Sequence, residues 1–148
     1  MKNVFAIAAL FLFSAVDMMA QTQYAVVTVI ESIIPAGLGR SRMIANMEDL
    51  NTANYTTKRT DGVKSDMGDV KRQDLKIDNF EETKLLNFYS ISGINFQNVA
   101  SNDAMVSAKL NEMAAAGWEL AFVSSGVESD SGTTDGEGIF VTRYIFKR

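Results

Sequence analysis

The sequence predicts an α+β fold: a small antiparallel sheet with one main helix packed on one face, in the order β-insert-α-β-β. Three observations carry this. Residues 24–31 are dominated by valine, threonine and isoleucine, which favour a pleated surface. Between Ser101 and Gly117 apolar residues recur at three- and four-residue steps, the period of a helix. At Gly117 the period changes to two, the signature of a strand.

The first segment lies outside that scheme. Lys2 and Asn3 precede an apolar run, Val4 to Val16, and Ala20 offers a small residue for cleavage. This is the pattern of a secretory signal peptide over residues 1–20, leaving 21–148 as a single α+β domain. The apolar run falls short of the roughly 20 residues of a membrane span, with a retained anchor as the alternative.

Tyr24 to Glu31 is apolar on both faces, which predicts a central strand. Ile33 to Gly39 holds the only proline and two glycines and predicts a turn. Ser41 to Asn46 returns as a shorter strand. Residues 47–78 form a polar insertion of mixed charge, a surface hairpin or a mobile loop, with a turn signal at Asp61-Gly62. Asn54-Tyr55-Thr56 matches a glycosylation acceptor. Asp78 and Glu81 have capping-box spacing and predict a short helix carrying Phe80, Leu85 and Phe88 or Tyr89. A strand from Leu85 to Tyr89 is the alternative. Gly93 to Val99 reads as a linker.

The main helix is predicted to start near Ser101, with Asp103 in its first turn. Its stripe is Val106, Leu110, Met113, Ala114 and Gly117, with Gly117 suited to the left-handed stop. Trp118 to Ser124 follows as a strand with one favoured face, and Trp118 is expected to cap the helix–sheet core. The loop 125–138 leads to the last strand, Ile139 to Lys147, antiparallel to its predecessor.

Gly117-Trp118-Glu119-Leu120, preceded by an apolar helix and followed by Tyr144-Ile145-Phe146-Lys147-Arg148, resembles the domain-of-unknown-function 4177 family of small bacterial proteins. Tyr24–Val29 and Leu110-Asn111-Glu112 stand in the family's first-strand and helix positions, and residues 36–98 stand as a large insertion. The run Gly37 to Arg42 is similar to one in a narrower group of exported bacterial proteins. The resemblance implies a β-insert-α-β-β sandwich of one helix on an antiparallel sheet. It implies no activity and no functional residue.

Composition narrows the chemistry. The 148 residues carry 14 basic and 18 acidic side chains, and the net charge stays −4 after loss of Lys2 and Asp17. No basic face for nucleic acid or anionic lipid is evident. The chain has no cysteine, hence no disulfide, and no histidine, the commonest general base and a common metal ligand. A chain this long buries about two-thirds of its unfolded surface and needs no staple. Glu48-Asp49 and Glu81-Glu82 are adjacent carboxylates and point in different directions.

Three features remain. In Gly37-Leu38-Gly39-Arg40-Ser41-Arg42, glycine backbone and arginine forks suit an anion or acidic saccharide, and surface ion pairs are the plainer use. Glu128, Asp130, Asp135 and Glu137 offer oxygen ligands of the kind calcium takes, in a loop whose spacing is not that of an EF-hand, and a solvated turn is the plainer use. Arg143, Lys147 and Arg148 face a cross-strand ion pair with Glu119.

The leading expectation is a non-catalytic binding or structural module of the bacterial envelope, periplasmic or secreted. Its partner would be a protein or a glycan, with no cofactor, no metal, no nucleic acid and no stable membrane insertion. The alternatives are a small anionic-ligand-binding protein using Arg40 and Arg42, and a hydrolase working with carboxylates alone.

Overall fold

The computed structural model describes residues 21–33, 41–127 and 139–148. The expected signal segment, the turn holding Arg40 and the acidic loop at 128–137 lie outside the described residues. The architecture is α+β: a five-stranded antiparallel sheet with a single main helix packed against it.

In chain order the strands are β1 (Tyr24–Ser32), β2 (Arg42–Asn46), β3 (Arg59–Thr60), β4 (Lys64–Ser65), β5 (Glu81–Lys84), β6 (Tyr89–Ser90) and β7 (Gly93–Ile94). Helix α1 (Phe96–Ala115) precedes β8 (Glu119–Val127) and β9 (Ile139–Lys147). The main sheet runs β5-β2-β1-β9-β8, so the β-branched first strand is central, as its two apolar faces predict. β1 pairs with β9 along nine residues, from Tyr24 opposite Lys147 to Ser32 opposite Ile139.

Alternation along β1 selects the core. Ala25, Val27 and Val29 face α1, together with Met43 and Ala45 of β2, Phe146 of β9, Leu85, Met113 and Trp118. Val106, Leu110 and Tyr144 pack against this cluster. Of the expected helical stripe, Ala114 and Gly117 are exposed. The inward position that the stripe does not contain is Asn102, 1 % exposed.

The helix begins earlier than expected. Asn95 is its N-cap, and Oδ1 accepts from the backbone N–H groups of Gln97 and Asn98 at 3.0 and 3.2 Å. Two donors without intrahelical partners are thereby satisfied. Ser101 lies a turn and a half inside, its hydroxyl bonded back to the Gln97 carbonyl at 2.8 Å. The presumed linker at 93–99 is therefore β7 and the first turn of α1.

The helix end follows the sequence. Gly117 has φ 83°, the left-handed region where a Cβ is costly. The Trp118 N–H reaches the Met113 carbonyl at 3.0 Å and the Gly117 N–H reaches Ala114 at 3.0 Å, the paired bonds of a Schellman stop. Trp118 and Met113 meet in the core as that motif's hydrophobic contact.

The insert is more sheet-like than expected. Glu81–Lys84 is not a helix: it lies antiparallel beside β2, Glu81 opposite Ala45 and Lys84 opposite Arg42. β2 is flanked by β1 on only one side, and β5 satisfies its other row of backbone groups. The alternative strand, Leu85 to Tyr89, is also replaced: of it only Tyr89 is in a strand, where with Ser90 it forms β6 of the β6–β7 hairpin. The Asp61-Gly62 signal does mark a hairpin. Both residues have positive φ, and β3 pairs with β4 across them.

Candidate functional site

Segment 85–88 crosses from β5 to the hairpin and acts as a strap across the ends of β1 and β2. Its backbone is held strand by strand. Leu85 N–H bonds the Ser41 carbonyl at 3.1 Å, and Phe88 N–H bonds Ser32 at 3.0 Å. Asn102 brackets Leu86: Oδ1 accepts from its N–H and Nδ2 donates to its carbonyl, both at 2.8 Å. The second Nδ2 hydrogen goes to Glu31 Oε1 at 2.9 Å. Behind the strap, Ser32 N–H donates to Ser41 Oγ, which donates to Asn87 Oδ1 at 2.8 Å. Asn98 Nδ2 donates to the Asn87 carbonyl at 2.8 Å. These buried polar groups are hydrogen-bonded, which is what makes their burial affordable in free energy.

Glu31 is half-buried beside this network. Burial raises its pKa, the Asn102 hydrogen bond opposes that, and the negative charge of Asp103 adds to the rise. The Tyr144 phenol is also raised, by burial and then by the charges of Glu31 and Asp103. Glu31 thus feels the Asp103 charge, and its carboxylate is engaged with an amide that locks the helix to the strap. Among the described residues no group of three or more Asp or Glu side chains is placed to hold a metal ion.

Of the singled-out arginines, Arg42 has an acid partner. Arg40 lies outside the described residues. Arg42 donates to Glu82 at 2.6 Å, an exposed ion pair on the sheet face away from the helix. Arg42 also lines a shallow cleft of about 320 Å³ with Ser41, Glu82, Thr83 and Lys84. The adjacent acids do diverge: Glu81 turns to the helix side and pairs with Lys109 at 3.0 Å. Burial alone would lower the Lys109 pKa, but its bonds to Glu112 and Glu81 raise it.

At the opposite end of the sheet, four residues quoted for the family resemblance meet. Lys147 pairs with Glu119 at 3.5 Å. The Arg148 guanidinium stacks 4.3 Å from the Trp118 ring centroid and donates to Gln23 Oε1 at 2.8 Å. Arg143 takes no part in the Glu119 pair; its cross-strand neighbours are Thr28 and Ser124. Trp118 is buried under Arg148, closing the core as expected.

The feature that sequence reasoning missed is the state of β8. Trp118 to Ser124 was expected to present one favoured face, yet every residue of Glu119–Val127 is exposed. β8 is a sheet edge, and α1 lies toward the other edge, where Lys109 reaches Glu81. The helix side of β8 therefore leaves Leu120, Val123 and Val127 exposed, and its reverse leaves Phe122 62 % exposed. A bulge between Leu120 and Phe122 lets these two residues, two apart in sequence, face opposite sides. On the reverse face, Val26, Ile145 and Phe122 form a row across β1, β9 and β8. A second group of exposed apolar residues, Tyr89, Ile91, Ile94 and Phe96, surrounds the β6–β7 hairpin.

Among the described residues no helix is long and apolar enough to cross a membrane. Comparison of the chain with family models, curated proteins and solved structures finds no match in any of the three.

Proposed function

We propose that this chain is a non-catalytic binding or structural module of the bacterial envelope, and that it works through the β8–β9 side of its sheet. The observation that carries the proposal is the exposure of β8 on both faces. Exposed apolar side chains grouped on one element mark interaction surfaces far more often than isolated ones do. Supporting it, the polar groups drawn together inside the molecule are engaged in holding α1, the strap and the strand ends. Export is part of the proposal and rests on the apolar segment Val4–Val16.

The test has two parts. Fractionation of cells expressing the full chain should place it outside the cytoplasm, shortened at its N-terminus. Photo-crosslinkers at Phe122 and Val127 should capture a partner, protein or glycan, whereas crosslinkers at Val63 on the β3–β4 hairpin should not. Capture at Val63 alone, or a turnover abolished by changing one polar residue, would overturn the proposal.

A second reading keeps the small anionic ligand. Its support is the cleft that joins Arg42 and Lys84, with Glu82 the one acid among the described residues that line it. A thermal melt in sulfate, phosphate or acidic sugars would show stabilisation that disappears in the Arg40→Ala/Arg42→Ala double variant. Equal stabilisation of the double variant removes this reading.

A further inference from the structure

We infer that β8 pairs with β8 of a second copy, antiparallel about a two-fold axis near Ser124, joining two five-stranded sheets into one of ten strands. The inference rests on the binding reading above and names the partner.

Three observations carry it. First, the outer side of β8 has no strand beside it among the described residues, so its outward N–H and C=O groups form an open ladder. Sheet proteins ordinarily protect such an edge by keeping it short, or with charge, proline or bulges. β8 is nine residues long, has no proline, and bears one charge, Glu119, at its start. Its single irregularity lies between Leu120 and Phe122, leaving 122–127 in regular register with β9.

Second, charge selects the orientation. Antiparallel pairing about Ser124 places the two Glu119 side chains at opposite ends, roughly 30 Å apart by strand rise. That is several times the screening length at physiological salt. Parallel pairing would set them side by side. About this axis, Phe122 of one copy lies across from Gly126 of the other and Val123 across from Ser125. Each aromatic then covers a glycine that has no side chain to pack.

Third, the other edge cannot substitute. β5 has four residues, three of them charged: Glu81, Glu82 and Lys84. An uncharged strand such as 120–127 gains little from lying beside it, and Glu81 and Glu82 are already paired with Lys109 and Arg42. Association through β8 alone is isologous and closes at two copies, whereas β8-to-β5 contact would propagate into filaments.

The experiment uses the full chain, expressed with its own N-terminus. Sedimentation equilibrium over micromolar concentrations should give twice the monomer mass. Phe122→Lys/Val123→Lys should give a monomer, while Thr83→Lys on the β5 edge should leave the dimer intact. The chain has no cysteine, so single cysteines report without background. Under mild oxidation Ser124→Cys, which meets its own counterpart at the axis, should form an intermolecular disulfide. Val63→Cys, on an exposed hairpin, should not. The cysteine series does not depend on the double lysine variant folding. A monomeric wild-type chain, a dimer that survives Phe122→Lys/Val123→Lys, or no crosslink at Ser124→Cys overturns self-pairing. None of these touches the binding reading, which fails only by its own crosslinking and turnover tests.

Discussion

The two edges of this sheet are built in opposite ways. β5 is four residues long, three of them charged, and is followed at once by a strap bonded to β1, β2 and α1. β8 is nine residues long, nearly uncharged and exposed on both faces. Lys109 of the helix reaches the first edge, and the second is left uncovered. The difference shows that edge protection is not a by-product of core formation. Burying Val27, Val29 and Phe146 requires cover over the centre of the sheet, and whatever stands at either margin is a separate matter of sequence.

The sharpest way to break the protected edge is Asn102→Ala. It leaves the N–H and carbonyl of Leu86 and the Glu31 carboxyl without their amide partner. Stability should fall by about 3 kcal/mol, near the upper end for unsatisfied buried groups. That is roughly 10 °C in Tm for a chain of this size. Amide exchange should accelerate first in 81–88 and not in β8–β9. Equal acceleration at both edges would show that the strap is not a local clamp.

Next in size is Gly117→Ala, which acts at the start of the open edge. The left-handed φ of 83° costs an alanine about 1–2 kcal/mol. A Tm change below 1 °C would show that the helix stop relaxes freely.

Glu31→Gln sharpens the contrast through pH. The folded pKa of Glu31 is raised, so the folded chain holds its proton more tightly than the unfolded chain. The resulting stability is present on the acid side and is lost as pH rises through the raised value. Glutamine keeps an acceptor for Asn102 and removes the titration. The variant should match or exceed the parent at neutral pH and show a flatter stability profile between pH 4 and pH 7, read by denaturant melts. A stability profile unchanged in slope would remove Glu31 as its source.

The smallest effect belongs to the charge guard. A double-mutant cycle on Arg42 and Glu82 should give a coupling of about 0.2–1 kcal/mol, since both side chains are largely exposed. The pair's role would be specificity at the edge more than stability.

What was legible in the sequence follows from this asymmetry. β1 and β9 declare themselves by β-branched and aromatic runs, and Gly117-Trp118 by a change of period, because those signals are local. Asn102 does not, because an asparagine at helical spacing reads as surface until the Leu86 backbone is placed beside it. Glu81–Lys84 misleads for a related reason. Its composition resembles a helix start, and only the unpaired side of β2 draws it into a strand. Asn95 and Ser101 are both of residue types that cap helices, and α1 takes Asn95 as its N-cap. The choice between them depends on the β6–β7 hairpin that delivers the chain there. Of the site residues first singled out, Arg42 found an acid partner; the exposure of β8 was hidden, since its alternating apolar residues look the same whether or not a helix covers them.

The central pairing of β1 with β9 also governs when the fold can form. Tyr24 and Lys147, neighbours in the sheet, lie more than a hundred positions apart in the chain. β1 and β2 can meet early, but two strands with one exposed hydrophobic face are at best marginal in water. On a ribosome the nascent chain must wait for its last strand before its core can close, and long-range pairing of this kind is slow. A polypeptide whose core stays open until β9 has been made is easily kept in a threadable state.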